Sequence, residues 1–272
     1  MPQVAVIIPA RWGSTRFPGK PLHLIAGKPL LQHVWERARR ARSIDRVVIA
    51  TDDSRIAETA IGFGAEVSIT SPKHRSGTDR IAEVAAKMKG VTHVINVQGD
   101  EPVIDPKLIT RLASQLIENR GLEMITAANE FAPGSDVANP NCVKVVLGND
   151  GHALYFSRSP IPFFREPGLV QPLLHQGIYG YSLKFLLQFV KWKPGILERT
   201  EQLEQLRALE NGARIRVLVV KTRSIGVDVP DDAVAVERLL AAAPAKGSRA
   251  AAPAPVAQKT SVAARKTRRK ST

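Results

Sequence analysis

The stretch that decides the fold lies at residues 4–22, where VAVIIP at residues 4–9 runs into ARWGSTRFPGKPL at residues 10–22. The continuous run of mostly β-branched residues at 4–9 is typical of a strand that is buried on both faces. The loop that follows carries Arg11, Arg16 and Lys20 together with two glycines. Because ligands of parallel α/β sheets bind outside the carboxyl ends of the strands, we expect a ligand site at this loop.

The cations and exposed backbone N–H groups of this loop suit a triphosphate. The loop is not a Walker A loop, because five residues separate Gly13 from Gly19-Lys20 and Pro21 stands where Ser or Thr would bind magnesium. No G-x-G-x-x-G motif follows the first strand, which argues against a dinucleotide-binding fold. A solvated basic loop is the alternative interpretation.

Strand and helix patterns alternate through the first half of the chain. Strands are predicted at residues 46–50, 66–69 and 93–97, and helices at residues 29–42, 53–61, 78–87 and 106–117. This alternation predicts a parallel sheet with right-handed crossovers. The second half is more mixed, with strands predicted at residues 142–147, 153–156, 177–181 and 215–220 and helices at residues 181–190, 198–209 and 230–240. The expected fold is therefore α/β, with a mostly parallel mixed sheet flanked by helices.

Charge is distributed unevenly along the 272 residues. The formal net charge is +14, and the segment from Ala241 onward holds eight Lys or Arg residues and no acid, so residues 1–240 carry only +6. That segment has low complexity and no apolar periodicity, so we predict a folded domain at 1–240 and a disordered basic tail at 241–272. The tail is a candidate contact for nucleic acid or another anionic surface. A basic nucleic-acid-binding protein is therefore the distant alternative to an enzyme.

Composition also bears on the compartment. Hydrophobic residues make up 44% of the chain, which excludes wholesale disorder. A single cysteine, Cys142, rules out an internal disulfide and fits a reducing compartment. No basic segment precedes the first apolar run, and no apolar stretch approaches the ~20 residues that span a bilayer. We expect a soluble, cytoplasmic protein.

Acidic residues follow two of the predicted strands. The segment QGDEP at residues 98–102 comes after the fourth strand, and its Asp100 and Glu101 are consistent either with a Mg²⁺ site or with a turn or helix cap. Asp228 lies just before the last predicted helix and would complete a metal site with Asp100. Asp231 and Asp232 are better explained as first-turn acids that complement the helix dipole.

Two further segments carry polar groups without specifying one chemistry. HRSGTDR at residues 74–80 places hydroxyls, a glycine and cations at a helix start, where they would contact a base or phosphate or simply cap the helix. HQGIYGY at residues 175–181, with Glu198, Glu204 and Gln205, suits a hydroxylated ligand. A lone histidine such as His175 is more often structural than catalytic.

These segments occur together in a recognisable order and spacing over about residues 3–240. In chain order they are IPAR, WGSTRFPGKPL, HRSGTDR, NVQGDEP, NPNCVKVV, ALYFSR, HQGIYGY, LEQLR and GVDVPDD. The set resembles the 3-deoxy-manno-octulosonate cytidylyltransferase family, also called CMP-Kdo synthetases. The tail has no counterpart in the family pattern.

The resemblance implies a fold, a reaction and partners. The implied fold is a Rossmann-like nucleotidyltransferase fold in residues 1–240, with a dimerisation element in the second half and hence a homodimer. The implied reaction uses CTP and Mg²⁺ to activate Kdo, an acidic eight-carbon sugar of lipopolysaccharide, giving CMP-Kdo and pyrophosphate. A related CMP-sugar synthetase acting on sialate or amino-Kdo is the close alternative.

The resemblance also assigns residues to roles. The catalytic residues it implies are Arg11, Lys20 and Asp100. The nucleotide-binding residues it implies are Ala10, Arg11, Gly13, Ser14, Lys20, Ser76, Gly77 and Arg80. The sugar-binding residues it implies are Arg16, Gln98, His175, Tyr179, Glu204 and Gln205. The Mg²⁺ ligands it implies are Asp100 and Asp228.

Overall fold

The computed structural model describes residues 2–13, 17–166, 171–222 and 224–242. Over these residues the strands, numbered β1–β11 in chain order, are Gln3–Ala10, Leu24–Ile25, Lys28–Pro29, Arg46–Thr51, Glu66–Ile69, Val91–Asn96, Met124–Glu130, Lys144–Leu147, Ala153–Ser157, Leu173–Ser182 and Ile215–Val219. The helices, numbered α1–α8, are Leu30–Ala38, Ser54–Gly62, Gly77–Lys87, Pro106–Glu118, Leu183–Phe189, Ile196–Glu201, Leu206–Glu210 and Pro230–Ala242.

The main sheet has the strand order β11-β7-β10-β6-β1-β4-β5, and β8 and β9 extend it from β10. β1 runs parallel to both β4 and β6, and β4 runs parallel to β5. β10 is antiparallel to its neighbours β6 and β7, whereas β11 is parallel to β7. The prediction of a mostly parallel mixed sheet flanked by helices is confirmed.

β1 is buried on both faces, as its unbroken apolar sequence predicts. Val4, Val6 and Ile8 pack into one hydrophobic cluster with residues of α1, α2 and α4. Ala5 and Ile7 point to the opposite cluster, which includes residues of α3 and α5. Each of these five side chains is fully buried. The loop after β1 is therefore attached to the rigid centre of the molecule.

Several element boundaries differ from the sequence-based predictions. The predicted helix at 29–42 ends at Ala38, and the one at 198–209 divides into α6 and α7 because Gln202 has a φ of 52°. β7 was not predicted, since its sequence MITAANE mixes polar residues into the apolar run. β10 begins at Leu173, four residues before its predicted start, and α8 continues to Ala242, two residues past the predicted domain end.

The structure bears on the sequence-based predictions about membrane spans and about the basic tail only for the residues that it describes. Within the described ranges, no helix is long and apolar enough to cross a membrane. The basic segment predicted to be disordered lies outside the described residues, apart from the end of α8. The division into 1–240 and 241–272 therefore stays a prediction.

Candidate active site

An open cleft of about 280 Å³ lies at the carboxyl ends of β1 and β6, beside the start of α3. This is the edge of the sheet at which ligands of open α/β folds bind. The residues that line it are Pro9, Ala10, Arg11, Lys20, Pro21, His74, Arg75, Ser76, Gly77, Arg80, Gln98, Gly99, Asp100 and Asp228. The cleft is thus built mostly from the loop after β1, the loop after β6 and the start of α3.

Glycine is needed where these segments approach each other. A Cβ atom on Gly99 would lie 2.7 Å from the backbone oxygen of Pro9, a separation that real structures avoid. A Cβ on Gly77 would lie 3.3 Å from the ring of Pro9. Because neither glycine has a side chain, the loop after β6 and the start of α3 pack directly against the end of β1.

Lys20 stands between the two carboxylates that the resemblance assigns to metal. Its ammonium donates to Asp100 Oδ2 at 2.7 Å and to the backbone oxygen of Val227 at 2.8 Å, and lies 3.5 Å from Asp228 Oδ1. Only 14% of the Lys20 side chain is exposed. The structure therefore gathers three residues from distant parts of the chain around one cationic group.

The donor set fits a Mg²⁺ ion that is shared with a substrate. Among the residues that the structure describes, no three His, Cys, Asp or Glu side chains are clustered closely enough to hold a metal with protein ligands alone. Mg²⁺ usually keeps several waters and binds through one or two carboxylates plus phosphate oxygens. Asp100 and Asp228 supply that number of carboxylates, and the ammonium between them demonstrates that the position favours positive charge.

The loop after β1 is braced by an aromatic contact outside the cleft. The Arg55 guanidinium lies 3.5 Å from the centre of the Trp12 ring. A Cβ on Gly19 would lie 3.0 Å from the same ring, so Trp12 packs directly on the Gly19 backbone. Arg55 is held in turn by Asp53, the N-cap of α2. These contacts hold the two ends of a loop whose middle residues, Ser14–Arg16, lie outside the described ranges.

The start of α3 presents the nucleotide-binding residues predicted at 76–80. Ser76 is the N-cap, and its hydroxyl accepts the Asp79 N–H at 3.1 Å. Arg80 lines the cleft but is only 4% exposed, and it pairs with Asp52 at 3.1 Å and with the Thr70 hydroxyl. Arg80 therefore also ties α3 to β4 and to the segment after β5. Sequence reasoning missed Asp52, although its place directly after β4 was a usable signal.

Besides the Arg80–Asp52 pair, a second set of ionic contacts fixes residues 71–75, which include the cleft-lining residues His74 and Arg75. The Glu83 carboxylate on α3 accepts the Ser71 N–H at 2.9 Å and contacts His74 Nε2 at 2.6 Å and Lys87 Nζ at 2.6 Å. These three contacts, with Lys87 the largest contributor, lower the pKa of Glu83 to about 2. Residues 71–75 are therefore anchored to α3 by a carboxylate that stays ionised.

His175 lies on β10 and is neutral. Its Nε2 is 3.0 Å from the Thr126 hydroxyl, and its ring meets Phe156 edge-on. Burial lowers the pKa of His175 to about 3. The Thr126 hydroxyl donates its one proton to the Ile178 oxygen at 2.7 Å, so Nε2 must donate to Thr126 and Nδ1 is left as an acceptor. The ring therefore offers an acceptor and no charge.

Among the other predicted sugar-binding residues, Glu204 contacts the start of α3. Glu204 accepts a hydrogen bond from the Thr78 hydroxyl of α3, and burial raises the pKa of this carboxyl. Burial also raises the pKa of Tyr179, so its hydroxyl stays protonated. Gln205 is 5% exposed. Glu204 is thus joined to the helix that lines the cleft.

The predicted site residues can now be placed. The cleft itself gathers Ala10, Arg11, Lys20, Ser76, Gly77, Arg80, Gln98, Asp100 and Asp228. The residues that do not line it are Gly13, His175, Tyr179, Glu204 and Gln205. Ser14 and Arg16 lie outside the described residues. The roles that the resemblance assigns to all of these residues remain predictions.

Comparisons with known proteins agree on one class of enzyme. A cytidylyltransferase family model matches residues 5–215. The chain is 50% identical over 240 residues to 3-deoxy-manno-octulosonate cytidylyltransferase of Geobacter sulfurreducens, an alignment that covers 84% of this chain and 96% of the relative. It is 49% identical over 249 residues to the protein of the same name from Pseudomonas syringae pv. tomato, covering 87% and 98% respectively.

Solved structures are similar at two levels. A structure of CMP:2-keto-3-deoxy-manno-octonic acid synthetase complexed with CTP has a TM-score of 0.84 and 39% identity, and the match covers 88% of this chain and 98% of that one. A 4-diphosphocytidyl-2C-methyl-D-erythritol synthase from Anaerococcus prevotii has a TM-score of 0.61 at 13% identity, covering 88% and 96%. The second likeness is one of fold alone.

Proposed function

The chain belongs to the 3-deoxy-manno-octulosonate cytidylyltransferase family, and from that premise we propose that its cleft transfers the cytidylyl group of CTP to Kdo. The products are CMP-Kdo, an intermediate for lipopolysaccharide, and pyrophosphate. The observation that carries the proposal is the placement of Lys20 between Asp100 and Asp228 in a cleft that also holds Arg11 and Ser76.

The reaction is a displacement at phosphorus. The anomeric hydroxyl oxygen of the sugar bonds to the α-phosphorus, the bond from that phosphorus to the β-phosphate oxygen breaks, and pyrophosphate leaves with the electron pair. The hydroxyl proton passes to solvent. Negative charge builds on the α-phosphate oxygens and on the leaving group, so positioned cations lower the barrier. Arg11 and Lys20 supply those cations, and the start of α3 adds backbone N–H groups.

Mg²⁺ is the proposed cofactor. Asp100 and Asp228 would hold it, and the ion would supply charge neutralisation for the triphosphate. Lys20 already occupies the space between the two carboxylates. Its ammonium would therefore turn from them toward phosphate oxygens when substrate and metal bind.

The sugar is proposed to lie beside Gln98 and toward β10. Gln98 lines the cleft, and the Gly177 backbone of β10 packs near it, with a Cβ position 3.8 Å from Gln98 Cγ. His175 and Tyr179 lie on the same strand, two residues before and two residues after Gly177. Glu204 and Gln205 lie in the segment before α7. Neutral acceptors and one carboxylate suit a polyhydroxylated ligand, and Arg16 is the proposed partner of its carboxylate.

The proposed function is tested by product analysis. The purified chain is incubated with Mg²⁺ and CTP plus Kdo, amino-Kdo or sialic acid, and CMP-sugar and pyrophosphate are measured. We expect turnover with Kdo, and with Lys20→Ala a rate about 10²-fold lower, the scale of one lost transition-state donor. Asp100→Asn should retain less than about a tenth of the activity.

The matched control is Lys107→Ala, since Lys107 is an exposed lysine at the start of α4. It should turn over as the parent does. Turnover with sialic acid in preference to Kdo would replace the proposed substrate. An unchanged rate in Lys20→Ala would remove Lys20 from the mechanism.

We further propose a cytoplasmic homodimer that forms through the second half of the chain. Large apolar side chains are exposed there, with exposed fractions of 66% for Leu154, 90% for Phe163 and 69% for Ile196. Burying these side chains against a second copy of the chain would remove their apolar surface from water, which favours association. The mass in solution, measured by sedimentation, tests the dimer, and a monomer at micromolar concentration would contradict it.

A further inference from the structure

Arg207 on α7 is a buried cation that the reaction scheme does not use. Its side chain is only 7% exposed, and its guanidinium makes two parallel contacts with Glu198, at 2.7 Å from Nε and 2.6 Å from Nη2. The same Nη2 lies 3.4 Å from Glu204 Oε1, and the group stacks 4.8 Å from the Phe189 ring centre. A buried charge of this kind persists only where its partners are fixed.

The Arg207 contacts continue to the wall of the cleft through Glu204. One oxygen of Glu204 faces Arg207, and the other accepts the Thr78 hydroxyl. The Ser76 hydroxyl is near enough to Glu204 to lower the pKa of its carboxyl. Ser76 caps α3 and lines the cleft. An unbroken series of polar contacts therefore runs from Glu198 through Arg207 and Glu204 to the start of α3.

We propose that Arg207 is a positioning residue for the sugar, which orients the Glu204 carboxylate between α7 and the start of α3. The proposal rests on the proposed function in one respect, namely that Glu204 contacts the sugar. Without Arg207, Glu204 would keep its hydrogen bond from Thr78 but lose the group that faces its other oxygen. The carboxylate would then rotate away from the sugar hydroxyls.

The charged groups around Glu204 predict how each substitution should change the pKa of its carboxyl. Asp79 on α3, Glu198 on α6, and Tyr179 and Tyr181 on β10 surround it, with Arg207 as the facing cation. Burial raises the pKa of Glu204, while the hydroxyls of Thr78 and Ser76 and the charge of Arg207 lower it. Removing Arg207 should therefore raise this pKa, and removing the negative charge of Glu198 should lower it by leaving Arg207 less neutralised.

The test compares Arg207→Gln, Arg207→Lys and Glu198→Gln in the full chain. The control is Arg199→Gln, because Arg199 is an exposed arginine on α6. For each variant, KM for Kdo, Kd for CTP in the absence of sugar, and the pH profile of kcat/KM for Kdo are measured. The separate CTP measurement shows whether the nucleotide side is intact.

For Arg207→Gln we expect KM for Kdo to rise about tenfold or more, the scale of one charged hydrogen bond, with Kd for CTP within about threefold of the parent. The acid limb of its pH profile should move to higher pH. Arg207→Lys keeps the charge, so it should retain the parent's acid limb and recover part of the KM. Glu198→Gln should move the acid limb to lower pH. Arg199→Gln should match the parent.

Three outcomes would overturn the inference. A folded Arg207→Gln with the parent's KM and pH profile would do so, as would equal losses in sugar and CTP binding. If Arg207→Gln fails to fold, the test rests on Glu198→Gln. The inference is then overturned when the acid limb of the Glu198→Gln pH profile stays in place or moves to higher pH. Absence of turnover with Kdo in the parent would contradict the proposed function instead, so the two failures are distinguishable.

Discussion

Neighbouring residues Asp100 and Glu101 have different environments despite their identical charge type. The Asp100 carboxylate is 34% exposed and faces Lys20 in the cleft. Glu101 is buried, and its Oε2 has no hydrogen-bond partner among the described residues. Burial, with the charge of Asp100 adding to it, raises the pKa of Glu101 to about 7. The two carboxyls that looked like one acidic pair in the sequence therefore have different surroundings, one in the cleft and the other in the protein interior.

Glu101→Gln should make stability less dependent on pH. Glu101 binds its proton more tightly in the folded chain than in the unfolded chain. Its contribution to stability is therefore fully present below its ordinary pKa of 4.5 and is lost as pH rises through about 7. As pH rises from 5 to 8, the free energy of unfolding of the variant should increase by up to about 3 kcal/mol relative to that of the parent. Urea unfolding without Mg²⁺ measures this difference.

The control for this variant is Glu58→Gln, at an exposed position on α2. Its unfolding free energy should follow that of the parent at each pH. Parallel curves for Glu101→Gln and the parent would show that Glu101 ionises normally in the folded chain.

At the scale of elements, the cleft depends on how closely the loop after β6 approaches β1. Gly99 lets this loop pass the Pro9 backbone, and the next residue is Asp100. β1 itself cannot yield, because its side chains are buried on both faces. A side chain at position 99 must therefore displace the loop and, with it, the Asp100 carboxylate.

Gly99→Ala should reduce turnover about tenfold or more and destabilise the fold by roughly 1–3 kcal/mol, the usual cost of overpacking. Gly62→Ala on α2 is the matched control, since a Cβ there meets nothing within 4 Å. That variant should stay within about 0.5 kcal/mol of the parent, or gain slightly from helix propensity. Thermal unfolding and the pyrophosphate assay measure both effects, and parent-like behaviour of Gly99→Ala would show that the loop can relax.

For the whole molecule, the net charge of +14 has two sources. Residues 1–240 carry +6, and some of those cations, including Arg11 and Lys20, line the cleft. The remaining eight positive charges follow α8's predicted end. The basic balance that suggests a polyanionic partner is therefore consistent with a nucleotide in the cleft and a separate contact through the tail.

A chain that ends at Ala242 should keep the melting temperature and the turnover of the full chain. Binding to duplex DNA should be weak and salt-dependent in the full chain and lost in the shorter one, because phosphate contacts depend on the cations available. Titration at two salt concentrations measures this difference. Equal DNA binding by the shorter chain would locate the basic surface in residues 1–242 and favour the nucleic-acid alternative.

The sequence predicted elements better than boundaries. The strands at 46–50 and 66–69 and the helix at 106–117 lie within one residue of β4, β5 and α4 at each end, because their periodicity is continuous. β7 escaped prediction because Thr126 and Asn129 interrupt its apolar run, although the sheet buries both. The residues of the cleft were anticipated where motifs lie at strand ends and at the start of α3. Arg207 was missed because nothing local distinguishes it from a surface charge, whereas the position of Asp52 directly after β4 was a signal that could have been used.

The sequence by itself determined the central strand, the alternation of strands and helices, and the family, since each is encoded in local runs and motifs. Only the tertiary structure decided that Lys20 contacts Asp100 and Asp228, which are separated from it by 80 and 208 positions in the sequence. It also decided that β10 enters antiparallel between β6 and β7, and that Glu204 reaches Thr78 across 126 positions. The physical reason is that hydrophobic periodicity specifies which face of an element is buried, whereas the packing of distant elements sets which polar groups meet.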